Sequence, residues 1–192
     1  MHDRDVRGAV RQMLAAQHAG ESDTRIVEEM GLWSGAVRID LAVINGELGG
    51  YELKSDRDTL DRLPVQAAMY SRVFDKMNLV VGSRYAGKVR PLIPEWWGIT
   101  VVTKIGCNLE LFSARRCHDN PDPDPLLLAR LLWKPECLGI LDDIGSARGW
   151  RAKPVAALHT RLVEVLPIDQ LRERIRKTLK LRPNWLRQPV ND

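Results

Sequence analysis

Several features that define well-known protein classes are absent from this sequence of 192 residues. No apolar run approaches the roughly 20 residues that span a bilayer, and the first residues do not form a signal peptide. The three cysteines show no C-x-x-C spacing, which fits a reducing compartment and argues against a zinc site. We therefore expect a cytoplasmic protein without a membrane segment.

The signatures of several enzyme classes are also missing. The chain has no glycine-rich loop that would cradle a phosphate and no Ser/His/Asp arrangement for nucleophilic catalysis. It has no internal repeat and no low-complexity tract. Its composition, 44% hydrophobic and 28% charged, is that of a globular protein. The length suits one α/β domain, or a domain of about 120 residues with a small appendage.

Charge is divided unevenly along the chain, whose net charge is +4. Residues 148–192 carry 11 Lys and Arg against 4 Asp and Glu, whereas residues 1–147 carry 18 against 21. An acidic-centred body with a basic tail favours a polyanion partner held mainly by the tail. The alternative is that the basic helix faces are only solvated.

The hydrophobic pattern predicts a mixed central sheet flanked by helices. Residues 37–55 are predicted to form two strands and a turn, because Ile39, Leu41 and Val43 alternate with other residues and the glycines of residues 44–50, in Asn45-Gly46 and Gly49-Gly50, permit the reversal. The Pro-Asp alternation at 121–125 predicts a boundary, since it continues neither a helix nor a central strand. We therefore predict an α/β core over residues 1–120 and a basic helical region over residues 121–192. The first four predicted helices cover residues 4–18, 23–30, 64–74 and 85–93, and the last predicted helix covers residues 168–181.

Two carboxylates and a lysine converge in the predicted hairpin. Glu52 and Lys54 are two residues apart and share one face of their strand, and Asp40 lies on the neighbouring strand. Charges gathered in this way are costly to bury unless they are used. The alternative is a surface hairpin with a structural Lys–carboxylate pair across the strands.

The pattern of Asp40, eleven residues and then Glu52-Leu53-Lys54 resembles the D-x(n)-E-x-K core of the PD-(D/E)XK superfamily, the restriction-endonuclease-like nucleases. Downstream, Gln66 and Tyr70 are similar to the Q-x-x-x-Y element of RecB-type members. The wider stretch over residues 28–102 also resembles a family of small uncharacterised bacterial proteins of this superfamily. Only two strands are evident before the helix, where the superfamily has three.

This resemblance implies a restriction-endonuclease-like core and a metal-dependent deoxyribonuclease, with DNA as the expected nucleic-acid substrate. Asp40, Glu52 and the Leu53 carbonyl would bind Mg²⁺ or Mn²⁺, which are hard cations that prefer oxygen ligands. Lys54 would orient the attacking water or stabilise charge on the phosphate. By the same resemblance, Gln66 and Tyr70 would contact the nucleic-acid backbone or support the metal site.

Four further residues are secondary candidates. Glu28 or Glu29, with Glu29 preferred, resembles the acidic residue that many members carry on the helix before the Asp strand. Arg57 and Arg62 flank the proposed site and would grip phosphates, or are simply solvated.

Residues 138–166 loosely resemble a SAP-type helix-extended-loop-helix DNA-binding motif, and a plain helical cap on the sheet is the alternative. Two functions stay open at this point. The first is the nuclease, and the second is a catalytically silent nucleic-acid-binding or protein-interaction module on the same fold. A homodimer is included by analogy with endonucleases of this fold.

Overall fold

A computed structural model describes residues 2–33, 35–106, 108–183 and 185. Within these ranges the chain forms one six-stranded mixed sheet and six α-helices. Cys107 and the end of the predicted basic region, residues 186–192, lie outside the described residues. The elements, in order, are α1 (Asp3–Gln17), β1 (Arg25–Leu32), β2 (Val37–Ile44), β3 (Leu48–Lys54), α2 (Leu63–Tyr70), β4 (Lys76–Gly82), β5 (Gly98–Ile105), β6 (Asn108–Arg115), α3 (Pro125–Ala129), α4 (Lys134–Asp143), α5 (Val155–Val165) and α6 (Ile168–Leu181).

The strands lie in the sheet in the order in which they occur along the chain, from β1 to β6. The first three strands and the last pair are antiparallel, whereas β3, β4 and β5 are parallel. Helix α2 makes the crossover from β3 to β4, as a parallel connection requires. Gly50 allows close packing at this point, because a Cβ atom there would lie 2.4 Å from Met77 Sδ and 3.0 Å from the Phe74 ring.

Each face of the sheet carries its own apolar cluster. Helix α1 covers one face with Val6, Val10 and Leu14, which are spaced three to four residues apart on one stripe and are fully buried. The other face packs against helices α2 to α6 in a larger cluster. That larger cluster contains residues from both sides of the predicted boundary at 121–125, so the sheet and the C-terminal helices share a core.

The structure confirms the mixed α/β class and the predicted hairpin, because β2 and β3 pair as antiparallel neighbours. The helix predicted over residues 23–30 is wrong, since most of that segment is strand β1, paired with β2. This strand supplies the third strand before α2 that the sequence did not reveal. The helix predicted over residues 85–93 is also wrong, and the segment contains short 3₁₀ turns at Ser83–Tyr85 and Arg90–Leu92. None of the described helices is both long and apolar enough to cross a bilayer.

Candidate functional site

Seven side chains from five elements meet where β1, β2 and β3 adjoin, and we call this group the carboxylate cluster. Strands β2 and β3 bring Asp40 beside Glu52 and Lys54, as the sequence predicted. Its members are Arg7, Glu29, Asp40, Glu52, Lys54, Gln66 and Tyr70.

Both carboxylate oxygens of Asp40 have partners within the chain. The Leu53 backbone N–H donates to Oδ2 at 2.8 Å, and Arg7 Nη2 donates to Oδ1 at 2.8 Å. Leu53 thus contributes its N–H to Asp40, and the metal contact that the resemblance implies for its carbonyl stays a prediction. Burial raises the pKa of Asp40, although the Leu53 N–H and the Arg7 guanidinium act in the opposite direction.

Glu52 lies deeper than Asp40 and is paired with a lysine. Its Oε1 accepts hydrogen bonds from Lys54 Nζ at 2.5 Å and from Gln66 Nε2 at 2.7 Å. The side chains of Glu52 and Lys54 are only 3% and 7% exposed. Burial raises the pKa of Glu52, and the charge of Lys54 opposes this shift. The pair is therefore held inside the protein with very little contact with water.

Gln66 and Tyr70 face the cluster from one side of α2, as their spacing predicted. The Tyr70 hydroxyl donates to the Arg38 carbonyl at 2.7 Å, and its ring stacks on Trp97 with 6.4 Å between centroids. Tyr70 is fully buried, and burial raises the pKa of its hydroxyl. Tyr70 therefore packs between the helix and the sheet.

Arg7, on helix α1, is the member of the cluster that sequence reasoning missed. Its guanidinium lies 2.8 Å from both Glu29 Oε1 and Asp40 Oδ1, and 3.5 Å from Asp3 Oδ2. Nothing in the local pattern marks this residue, because its role depends on where α1 crosses the sheet. It brings a positive charge to Asp40 and Glu29, two of the residues that the resemblance had given to a metal site.

The structure also distinguishes Glu28 from Glu29. Glu28 pairs with Arg11 at 3.0 Å, whereas Glu29 reaches the cluster through Arg7. Glu29 has a φ of +52°, a left-handed conformation that is unusual for a non-glycine residue within a strand. Both residues lie on strand β1, not on the helix expected from the resemblance.

As the side chains lie, the oxygens that would bind a divalent cation mostly have partners within the chain, although the buried Gln66 Oε1 has no hydrogen-bond partner among the described residues. The Asp40 oxygens and Glu52 Oε1 already accept hydrogen bonds, and Arg7 and Lys54 supply positive charge. Nowhere in the described part of the chain do three or more His, Cys, Asp or Glu side chains form a group that could hold a metal. The predicted binding of Mg²⁺ or Mn²⁺ would require these contacts to break, and it stays a prediction. Arg57 and Arg62 lie exposed between β3 and α2.

A second group of charges lies on the loop between α4 and α5, residues 145–153, which we call the basic loop. Gly145 and Gly149 have φ values of +68° and +82°, which permit the reversals that shape the loop. Ala147 is buried in the larger core cluster and anchors the loop, and its carbonyl accepts the Trp150 N–H at 3.0 Å. The Arg161 guanidinium lies 5.2 Å from the centre of the Trp150 ring.

The basic loop exposes three cations and contains no carboxylate. Arg151 is 2.7 Å from Asp142, an ion pair in which both side chains are exposed. For Arg148 and Lys153, no ion pair forms with any residue that the structure describes. The anchored loop therefore presents uncompensated positive charge to solvent.

Helix α6 is also basic, but one flank of it is neutralised by the body of the protein. Arg172 and Arg176 contact the buried Asp75 at 2.5 and 3.3 Å, and Lys180 pairs with Asp23. Just beyond the helix, the buried Arg182 makes two hydrogen bonds to Glu136 at 2.8 and 2.5 Å. Much of the basic excess of the tail thus holds the C-terminal helices on the more acidic body.

Comparison with known proteins identifies a family. The family described as Bacteriophage P4 protein cII matches residues 2–185. Protein cII of Enterobacteria phage P4 is 37% identical over 68 residues, which is 35% of this chain and 26% of that protein. The chain therefore aligns with only about a quarter of the length of this curated relative. A solved structure, the SPO1766 protein of unknown function from Silicibacter pomeroyi, covers 78% of this chain and 94% of its own, with 16% identity and a TM-score of 0.45.

These matches correct the main prediction from the sequence. The assignment to the PD-(D/E)XK nucleases is wrong, and with it the prediction of a metal-dependent deoxyribonuclease, because the family match covers nearly the whole chain and is not to a nuclease family. The physical reason lies in the cluster. Spacing along the chain brought Asp40, Glu52 and Lys54 together, but it did not reveal that Arg7 pairs with the carboxylates.

Proposed function

The chain belongs to the bacteriophage P4 protein cII family, and from this premise we propose that it binds nucleic acid without cleaving it. The binding surface is the basic loop, and the expected partner is DNA. The carboxylate cluster has a structural role in this proposal, because its charged groups pair with one another.

One observation carries the proposal, namely the uncompensated charge of Arg148 and Lys153 on an anchored loop. Phosphate contacts from Lys and Arg supply most of the sequence-independent affinity for nucleic acid. The loop leads into the first turn of α5, where free N–H groups and the helix dipole also favour an anion. A cation held on an ordered loop loses less backbone freedom on binding than one on a mobile segment.

A restriction-endonuclease-like fold is a separate proposal that concerns architecture alone. The order α1, β1, β2, β3, α2 and β4 supports it, because the superfamily core has the order α-β-β-β-α-β. One fold hosts many functions, so this likeness implies no chemistry.

Binding of a fluorescent 20-base-pair duplex, measured by anisotropy over a range of salt concentrations, tests the function. We expect the double variant Arg148→Ala/Lys153→Ala to bind more weakly and to lower the slope of log K against log salt by about 2, since each phosphate contact contributes about 0.9. The matched control is Arg4→Ala/Lys104→Ala, which removes the same charge from exposed positions on α1 and β5. Single-stranded DNA and duplex RNA of equal length show which nucleic acid is preferred.

Two results would contradict the proposal. Equal weakening by the loop variant and its control would mean that net charge alone governs binding. Cutting of the duplex with Mg²⁺ or Mn²⁺, abolished by Asp40→Asn, would mean that the protein is a nuclease. We expect the duplex to stay intact and the two variants to differ.

Protein interaction is a second candidate, favoured by an apolar surface on the last strand of the sheet. Phe112 on β6 is 69% exposed, and Ile105 at the end of β5 is 54% exposed. Edge strands with exposed apolar side chains readily pair with another chain. The partner in this proposal is a second copy of the protein, so light scattering should show a dimer that Phe112→Ser converts to a monomer.

A further inference from the structure

Helix α6 has two charged flanks that differ in their partners. Arg172, Arg176 and Lys180 follow one another at four-residue spacing and share the flank that pairs with the body. Arg174 and Lys177 are three residues apart and lie away from that flank. The two sets of cations therefore have different surroundings, although they belong to the same helix.

The second flank is largely open to solvent. Arg174 contacts Asp143 at 3.6 Å, and the Asp143 side chain is 72% exposed. Lys177 is exposed and forms no ion pair with any described residue. A contact of 3.6 Å between a half-buried arginine and a largely exposed carboxylate is worth little, so Arg174 is available to another anion.

The last turn of α4 connects this flank to the basic loop. Asp142 contacts Arg151 of the loop at 2.7 Å, and the adjacent Asp143 contacts Arg174 of α6. The loop and the outer flank of α6 therefore meet at two neighbouring carboxylates. The combined surface keeps a positive excess, because against Asp142, Asp143 and the exposed Glu173 the loop and the flank carry five cations. They are Arg148, Arg151, Lys153, Arg174 and Lys177.

We infer that the nucleic-acid surface extends from the basic loop across Asp142 and Asp143 onto the outer flank of α6, where Lys177 and Arg174 contact phosphates. This inference rests on the proposed function. The two acids compete with the phosphates for Arg151 and Arg174 and repel the approaching backbone. The two acids thereby weaken the binding of a single phosphate group, and a ligand must engage several cations at once to displace them. A phosphodiester polymer meets that requirement because it carries one negative charge per about 3.4 Å of each strand.

The same anisotropy titrations test the inference with two variants and one matched control. Lys177→Ala should weaken binding and lower the salt slope by about 1, as expected for the loss of one phosphate contact. Lys104→Ala removes an exposed lysine from β5 and should leave the slope unchanged. Asp142→Asn/Asp143→Asn should tighten binding, most strongly at low salt, because two repulsive charges are lost. Alanine suits a helix, and neither pair involving Asp142 or Asp143 is buried, so these variants should fold.

The outcomes separate this inference from the proposed function. If the loop variant weakens binding but Lys177→Ala matches Lys104→Ala, the surface ends at the loop, and the inference fails while the function stands. If neither the loop variant nor Lys177→Ala has an effect, both fail. If Asp142→Asn/Asp143→Asn does not tighten binding, the two acids do not oppose phosphate binding, and that part of the inference fails. Polyglutamate that competes as well as the duplex would point to an acidic protein as the ligand.

Discussion

The carboxylate cluster and the basic loop are both rich in charge, but their charges are balanced in different places. In the cluster, Arg7 lies 2.8 Å from Asp40 and Lys54 lies 2.5 Å from Glu52. In the loop, Arg148 and Lys153 form no ion pair within the part of the chain that the structure describes. The cations of the first group are paired within the folded chain, whereas those of the second are available to an outside partner.

This difference teaches that a pattern of charged residues does not by itself locate a function. Charges that pair within a chain serve its folded state, and removing one partner leaves the other buried without compensation. Exposed charges without a partner add little to stability and remain available to a ligand. If the comparison is right, changes in the cluster should alter stability, and changes in the loop should alter binding.

The largest effect is expected from Lys54→Met, which leaves Glu52 buried without its cation. Breaking a buried pair by removing one partner costs about 3–5 kcal/mol of the free energy of unfolding. Urea unfolding at neutral pH measures this loss. Lys76→Met is the matched control, because its pair with Glu47 is partly exposed and is worth less than about 1 kcal/mol. Equal losses in the two variants would mean that the pair with Glu52 is no more important than a surface contact.

A smaller loss is expected from Arg7→Ala, which removes the cation shared by Glu29 and Asp40. Because the Arg7 side chain is 18% exposed, the cost should be about 2 kcal/mol, between the values for buried and surface pairs. Thermal unfolding provides the measurement. Arg11→Ala is the control on the same helix, since its pair with Glu28 is well exposed. A variant as stable as the control would show that Arg7 does not hold the cluster together.

The effect of pH follows from the raised pKa values of Asp40 and Glu52. A carboxyl whose pKa is higher in the folded state contributes stability that is full below its ordinary pKa, here 3.8 or 4.5. This contribution is lost as the pH rises through the folded-state pKa. Because Lys54 opposes the shift of Glu52, the loss with rising pH should be steeper in Lys54→Met. The check is to measure the free energy of unfolding of the unmodified protein and of Lys54→Met from below pH 3.8 to neutral pH. Parallel pH curves for the two proteins would contradict the prediction.

The smallest effect is expected from adding Mn²⁺ to the unmodified protein. A metal bound at a hundred times its dissociation constant would add about 2.7 kcal/mol to stability. We expect far less, because the carboxylates already have partners in the chain. A thermal shift that Asp40→Asn abolishes would show that the cluster binds metal as the sequence first predicted. Calorimetric titration of the same two proteins gives an independent readout.

Local patterns predicted those parts of the fold that depend on local structure. Strand β2 and helix α6 lie where the apolar spacing placed them, and α6 covers the predicted residues 168–181. Strand β3 begins at Leu48, earlier than predicted, because Gly49 and Gly50 pair with β2 and are not part of the turn. Strand β1 was predicted as a helix because residues 22–24, Ser-Asp-Thr, are typical of a helix N-terminus and Gly31 is typical of a helix end. Pairing with β2 decides the outcome, and this pairing is not local.

The candidate site was predictable only in part, for the same reason. The spacing from Asp40 to Lys54 correctly placed three side chains together, because it concerns adjacent strands of one hairpin. Arg7 comes from a helix 33 residues before Asp40, and its contacts depend on the packing of α1 on the sheet. The sequence motif predicts that Asp40, Glu52 and Lys54 lie close together, but it does not predict that Arg7 pairs with Asp40.

The sequential order of the six strands also bears on how the chain folds. Every strand pairs with its neighbour in sequence, so the sheet forms through short closures that cost little chain entropy. In contrast, Lys180 contacts Asp23 and Arg25 across separations of 157 and 155 residues. All strands have left the ribosome once Arg115 has emerged, before α6 has been made. We expect the sheet to assemble before α6 docks on it through these long-range contacts.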